Sequence, residues 1–484
     1  AALWEGAGVW PQAHVAWCAA ARQARLAGRL EAWEGLLDRA QAAAGQAGDE
    51  AARFDARCQG LSARMLRLGA ESVLETLHRW LILEKQPARR SRLQAMLGDA
   101  LLLQIRPVQA LAAGDKALAL AEPASPEWFE ATVLTGRALA MAGRTAEAIG
   151  RLRAAHQDMP AFTEPLRALR AKAALANALH LARRHVEALH WQSMAVADAR
   201  EWGDATEFTQ LLSNQAALAA QIGDSRLAYQ ASSEARRRYL AMGVDSDKSQ
   251  TNAIYLARQA AQRGRLDNAV SLLEDVIDAP AARSSPAIRL IATAALAGVS
   301  LLLGDAPRIA RLTDRLNNTP VDRILPSIEV TLVLSRLRLA RHRGAVPDED
   351  LRRLDELGRA DPELRRTPRI YREWAEWDPV DVARATLETL IAECVDLQAH
   401  GAARSLELLA LERSSAQDSR LLLPRARRLH RELPRGLLAG TYPPAAWWTL
   451  ARVFHAGGDR DRALQCQERA RRWICKLSSW LIRC

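Results

Sequence analysis

The chain has 484 residues, 49% hydrophobic but only 5% aromatic, with 26 Gly and 20 Pro. That Ala- and Leu-rich profile favours helix and argues against a β-sandwich or a parallel α/β sheet. Basic residues outnumber acidic ones 67 to 56, for a net charge of +11; only five are Lys (Lys85, Lys116, Lys172, Lys248, Lys476) and none follows a Gly, which excludes a Gly-Lys-Ser/Thr phosphate loop.

Taken in chain order, helix–turn–helix units recur with a fixed internal spacing. A small residue precedes each turn by seven positions, and the turn is usually Gly: Ala21 then Gly28, Ser62 then Gly69, Gly98 then Ile105, Gly136 then Gly143. The series continues with Ala176 then Arg183, Ala216 then Gly223, Ala257 then Gly264, and Ala297 then Gly304; at Gly344 the small slot is filled by Leu337. Ile105 and Arg183 therefore stand where a turn Gly is expected, and the period is about 40 residues. Further small residues follow twelve positions after the slot (Ala110, Ala148, Ala188, Ala228, Ala269, Ala463) and nineteen after it (Ala40, Ala117, Ala155, Ala195, Ala235, Ala470). Small side chains let two helices approach closely while larger neighbours fill the grooves. A single hairpin cannot bury its own apolar face, so such units must stack.

Regularity falls off after residue 358. Asp361 to Val380 holds three Pro and two Trp, and Leu433 to Pro444 is rich in Pro and Gly. The next turn glycines, Gly401 and Gly458, each fall 57 residues after the one before. The expected organisation is a repeat array over 1–358, an irregular linker or kink over 359–380, and a less regular helical part over 381–484. That last part ends in a regular hairpin at 443–475; a separate small helical domain from about 380 is the alternative. The long apolar run Leu290 to Leu303, between Arg289 and Asp305, is too short to cross a bilayer and is expected as a buried helix.

The unit Leu134-Thr135-Gly136-Arg137-Ala138-Leu139, followed by Gly143, Ala148, Leu152, Ala155 and Pro160, resembles the tetratricopeptide repeat (TPR). The last unit, Trp447 to Phe454 followed by Gly458, Ala463 and Ala470, carries the leading Trp of that family, and Trp17 matches it in the first unit. The resemblance covers 12–358 and 443–475. It implies an all-α protein, an α-solenoid or superhelix of stacked antiparallel helix hairpins.

Catalytic and cofactor signatures are sparse. No G-x-G-x-x-G, H-E-x-x-H or G-x-S-x-G occurs, and no cofactor is expected. Six Cys (Cys18, Cys58, Cys394, Cys466, Cys475, Cys484) form no C-x-x-C pair and are expected to be reduced thiols without a metal. His180, His185 and His190, five apart, do not line one helical face. Asp348, Glu349, Asp350, Asp355 and Glu356 sit with Arg352 and Arg353 as a solvated, ion-paired face. Trp374, Trp377, Trp447 and Trp448 are expected as core or capping aromatics, with an exposed binding hot spot as the alternative.

One constellation stands out. The residue after each small slot should point into the concave groove of a solenoid; it reads Arg22, Ala63, Asp99, Arg137, Asn177, Ala217, Arg258, Gly298, Arg338, Val395 and Arg452. Five of these eleven are Arg, against about 1.4 expected from 62 Arg in 484 residues. Guanidinium forks suit carboxylates. The row reads either as a plain solvated basic face or as a partner-binding row; on the second reading the candidate partner-binding residues are Arg22, Arg137, Asn177, Arg258, Arg338 and Arg452, and the expected partner is a protein or an acidic peptide. Basic patches at Arg365-Arg366 with Arg369 and at Arg425, Arg427, Arg428 and Arg431 lack a helix-turn-helix or stacking platform, so nucleic acid is not the expected partner of this segment.

Such long-period repeats are similar to the C-terminal sensor arms of large bacterial signal-transduction ATPases that activate transcription. That resemblance implies a cytoplasmic, non-catalytic arm that senses a partner or a small-molecule inducer, away from any membrane. The opening segment Val9 to Trp17 looks like the junction after an ATPase module, and the chain lacks an initiator Met. The alternatives are a stand-alone adaptor and a helical accessory domain of an enzyme.

Overall fold

The computed structural model describes residues 1–104, 106–157, 165–202, 204–243, 247–279, 286–318, 326–345, 347–361, 364, 366–375, 384–414, 419–436 and 441–481. Ile105, Pro160, Arg365, Trp377 and Cys484 lie outside the described residues. Helices account for nearly all of the regular structure, and no strand occurs among the described residues. The chain divides into two compact units, Ala1–Gln215 and Ala216–Cys484.

Unit 1 contains α1 (Ala2–Gly6), α2 (Trp10–Leu26), α3 (Leu30–Gln46), α4 (Glu50–Leu68), α5 (Glu71–Leu83), α6 (Pro87–Leu103), α7 (Pro107–Leu120), α8 (Pro126–Met141), α9 (Thr145–Gln157), α10 (Pro165–Leu181) and α11 (His185–Trp202). Helix α12 (Ala205–Ile222) crosses the division. Unit 2 continues with α13 (Ser225–Ala241), α14 (Asp247–Gln262), α15 (Leu266–Asp278), α16 (Pro286–Leu303), α17 (Ala306–Asn317), α18 (Pro326–His342) and α19 (Asp348–Ala360). It closes with α20 (Pro368–Trp374), α21 (Arg384–Asp396), α22 (His400–Glu412), α23 (Ser419–Glu432), a 3₁₀ turn (Leu433–Arg435), α24 (Pro443–Ala456) and α25 (Arg460–Leu481).

The small residues sit where the helices meet. Ala21, Ala176, Ala216, Ala257 and Ala297 are at most 2% exposed, and the second- and third-slot alanines at most 3%. At Gly136 an added Cβ would stand 2.6 Å from Leu152 Cγ, so this glycine forms the notch that receives a leucine of α9. The turn glycines Gly28, Gly69, Gly143, Gly223, Gly264, Gly304, Gly344 and Gly458 have positive φ, and Arg183 adopts the same left-handed conformation at φ 61°. The turn therefore persists at 183 without its glycine.

Even-numbered helices also touch the next even-numbered helix, as α6, α8 and α10 do in unit 1 and α14, α16, α18, α20, α22 and α24 do in unit 2. Helices on the inside of a curved stack are closer together, so the even helices form the inner layer and the odd helices the outer one. This architecture is a TPR-like α-solenoid. It also revises the register beyond residue 358. The segment expected to be irregular contains the seven-residue α20, which occupies an inner position between α18 and α22. Consequently α21 is an outer helix, and Val395 is not part of the inner row. Gly401 is not a turn residue either: it lies within α22, and a Cβ there would stand 2.7 Å from Gly223 Cα. The left-handed residue in that connection is Gln398, at φ 56°.

Helix α16 extends the apolar run upstream to 18 residues with hydropathy 1.8, long and apolar enough on those two criteria to cross a membrane. Its apolarity has a local cause. Ile288, Leu290, Ala292, Leu296, Ala297, Val299 and Leu303 are built into one core with Leu273, Val276, Leu316 and Leu339 from its neighbours.

Candidate binding face on the inner helices

The inner-row residues fare differently in the two units. In unit 1, Arg137 on α8 is ion-paired with Asp99 on α6, the preceding position of the same row. Similar pairs cross between neighbouring inner helices: Arg92–Asp55 at 2.7 Å, Arg167–Glu130 at 2.8 Å and Arg170–Glu207 at 2.9 Å. Burial works against the charge on Arg170, but Glu207, with Asp99 and Glu130, outweighs it and raises the pKa. This face is a ladder of alternating charges, not a basic stripe. Arg22 and Asn177 are exposed beside it.

Within unit 1, Arg25 Nε at the end of α2 lies 3.1 Å from Asp204, which is fully buried. The guanidinium also packs over the rings of Trp33 and Trp202, 5.1 and 5.6 Å from their centroids. Burial raises the Asp204 carboxyl above its ordinary value despite Arg25. The same side chain accepts a hydrogen bond from Glu207 N at 2.9 Å, capping α12.

In unit 2, Arg338 on α18 is 3.3 Å from Glu373 on α20, and Arg369 reaches the same carboxylate at 3.2 Å. Glu373 is 8% exposed. Burial alone would raise its pKa, but Arg338, Arg369 and Arg258 together hold it below the usual carboxylate range. Arg258 on α14 thus faces the same cluster although it is distant in sequence. It makes no ion pair and no hydrogen bond among the described residues. Burial, then Arg369, push its pKa down to about 9, with Tyr255 and Glu373 acting in the opposite sense. Between Arg258 and Arg338 the row residue is Gly298, around which an added Cβ would meet nothing within 4 Å. The result is three guanidiniums, one carboxylate and open space beside them.

Arg452, the last row residue, donates to the carbonyls of Leu411 at 3.2 Å and Glu412 at 2.8 Å. It therefore secures α24 to the end of α22. The structure brings Arg258 and Arg338 together, pairs Arg137 with Asp99, and leaves Arg22, Asn177 and Arg452 apart from them. The sequence places Arg369 only in a basic patch and gives no sign of Glu373, because both fall in the segment expected to be irregular.

Other groups singled out above have structural partners. Arg425 pairs with Glu388 at 2.6 Å, Arg427 with Asp459 at 3.2 Å, and Arg428 with Glu407, which offsets much of that basic patch. In the acidic cluster Arg353 pairs with Glu356 at 2.8 Å and also crosses to Glu329 at 2.6 Å. His180 and His185 meet across the Arg183 turn, Nδ1 to Nδ1 at 3.1 Å, whereas His190 is exposed. Burial, then His180 and Arg183, push His185 down to about 4, so it is neutral at pH 7. Cys18, Cys58, Cys394, Cys466 and Cys475 form no disulfide among the described residues, and burial pushes Cys58 and Cys466 up to about 12. Among the described residues no group of three or more His, Cys, Asp or Glu could hold a metal. Trp374 and Trp447 are buried, but Trp448 is 61% exposed and is not a core residue.

No family model matches the chain, and no curated protein matches it. Among solved structures it is similar to a Rap protein complexed with competence and sporulation factor, at 14% identity and TM-score 0.48, over 74% of this chain and 99% of that one. A signal transduction ATPase with numerous domains and a tetratricopeptide repeat sensor, from Pyrococcus horikoshii, matches at 13% identity and TM-score 0.45, over 68% of this chain and 52% of that one. Aspartyl phosphate phosphatase F from Bacillus subtilis matches at 12% identity and TM-score 0.43, over 74% and 94%. At these values no residue and no ligand is transferred to this chain.

Proposed function

We propose that this chain is a non-catalytic binding scaffold whose inner face in unit 2 takes a protein segment or peptide bearing a carboxylate. The observation that carries this reading is Arg258. A half-buried guanidinium beside Arg369, without an ion-pair partner among the described residues, carries a desolvation cost that Tyr255 and Glu373 offset only in part. A ligand carboxylate at the open space near Gly298 would meet Arg258 and Arg338 and neutralise the surplus charge. Each charge-assisted hydrogen bond of that kind contributes about 1.5–3 kcal/mol.

The wider setting we propose is the regulatory arm of a bacterial ATPase-coupled transcriptional regulator in the cytoplasm. Its support is the long repeat period and the TPR-like stack. The same face would equally serve a stand-alone adaptor, and the upstream coding sequence separates the two.

The binding reading is tested by titrating fluorescently labelled Asp/Glu-rich peptides with a free C-terminus, and their amidated Gln/Asn counterparts, into the full chain. Acidic peptides should bind at least about tenfold more tightly than neutral ones. Arg258→Ala should remove that preference and Arg137→Ala should keep it. Equal binding of both peptide sets, or an unaltered preference in Arg258→Ala, would reject the reading.

A further inference from the structure

A second feature of unit 2 lies away from the arginine cluster, where the turn at Gly264 meets the last hairpin. A cavity of about 500 Å³ opens there, lined among others by Gln259, Arg263, Arg265, Pro443, Trp447 and Trp473. That volume lies in the range of about 300–1,000 Å³ typical of small-molecule sites. None of Arg258, Arg338 and Arg369 lines it.

The cations of its wall are incompletely matched. Arg263 donates only to a neutral carbonyl, that of Ser225 at 3.1 Å, and lies 4.6 Å from the Tyr229 ring centroid. Arg265 donates to the Tyr229 hydroxyl at 2.8 Å. Neither guanidinium has a carboxylate partner among the described residues.

The opposite wall is aromatic and held in place. Trp473 packs on Gly264, its Cε2 3.4 Å from where a Cβ would stand, and Tyr442 meets it edge-on at 5.1 Å. Gly264 also has φ +76°, so a larger residue there is strained and presses on the indole. Trp447 is fixed between Arg469, 4.6 Å above its ring, and the edge of His430 at 5.8 Å. The cavity therefore pairs flat apolar surfaces with cations.

We propose that this cavity binds a small aromatic anion. Its ring would lie against Trp447, Trp473 and Pro443, and its carboxylate or phosphate would pair with Arg263. Such a ligand would touch α14 and the α24–α25 hairpin at once, segments from opposite ends of unit 2 in sequence. Occupancy would thereby stabilise the contact between the beginning and the end of unit 2.

The experiment is isothermal titration of the full chain with four probes: indole-3-acetate, its neutral amide, adenosine 5′-monophosphate and adenosine. Each anion–neutral pair isolates the charge, and the two anions separate carboxylate from phosphate. At least one anion should bind saturably, at least about tenfold more tightly than its neutral partner, and raise the unfolding temperature. Arg263→Gln should weaken it by about tenfold or more, with an unfolding temperature of the free protein like that of wild type, while Arg258→Met leaves binding unchanged. No saturable binding of either anion, equal binding of the neutral partners, or wild-type affinity in Arg263→Gln would overturn the proposal. Failure here leaves the peptide reading intact, because Arg258→Met affects that reading alone.

Discussion

Arg338 and Glu373 stand 3.3 Å apart on neighbouring inner helices, and Arg369 holds the same carboxylate at 3.2 Å. One Glu thus serves two guanidiniums directly, and the third, Arg258, has no ion pair among the described residues. That imbalance separates the inner face of unit 2 from that of unit 1, where Arg137 is matched by Asp99.

The two arginines should respond differently to truncation. Arg137→Ala removes one partner of a half-exposed ion pair, for a stability loss of about 0–1 kcal/mol. Urea denaturation midpoints would show this, and a loss well beyond that range would mean that the unit 1 ladder acts as a cooperative network.

Gly136→Ala should destabilise unit 1 by about 1–3 kcal/mol, because its Cβ would enter the space of the Leu152 side chain at 2.6–3.1 Å. Restoring room with Gly136→Ala/Leu152→Val should recover part of that loss. A neutral Gly136→Ala, measured by thermal unfolding, would show that α8 and α9 can separate freely at this notch.

Arg25→Met leaves Asp204 buried without its cation, and a loss of about 3–5 kcal/mol follows for a broken buried pair. Asp204→Asn retains an oxygen that can accept from Glu207 N and removes the buried charge, so it should cost less than Arg25→Met. Chemical denaturation of both variants gives the order.

His185 gives the protein an acid-sensitive limb. Its pKa is lowered from 6.5 to about 4 on folding, so the unfolded chain binds more protons between those values. Its contribution is fully present above pH 6.5 and is lost as pH falls towards 4. His185→Gln should therefore lose less stability than wild type between pH 7 and pH 5, as read from urea midpoints at the two values. Identical losses would mean that His180, His156 and His430, all lowered by burial, carry the effect.

Much of the stack was legible because close helix packing demands small residues at fixed spacing, which is a local pattern. Ala40, Ala110, Ala148, Ala188, Ala228 and Ala269 are all fully buried, and Arg183 takes the left-handed turn conformation that its place in the series implies. Register failed after residue 358 for a physical reason. Gly401 looks like a turn glycine in sequence, but it leaves space for the close approach of Gly223, a residue from the start of unit 2. The pairing of the arginine row was half visible, since Asp99 immediately precedes Arg137 in that row. Glu373 was not, because its inner position depends on the short helix α20. The Arg25–Asp204 pair depends on superhelical curvature accumulated from α2 to α12, which leaves no periodic trace.

The central claim is that Arg258 is kept for a ligand and not for the fold. Thermal unfolding of wild type and Arg258→Met, with and without the acidic peptide, tests it most directly. Replacing an unpaired, desolvated cation by an apolar side chain of similar length should leave the free protein as stable or more stable. Addition of the peptide should then raise the unfolding temperature of wild type and leave that of the variant unchanged. A variant less stable than wild type, or one stabilised equally by the peptide, would contradict the account.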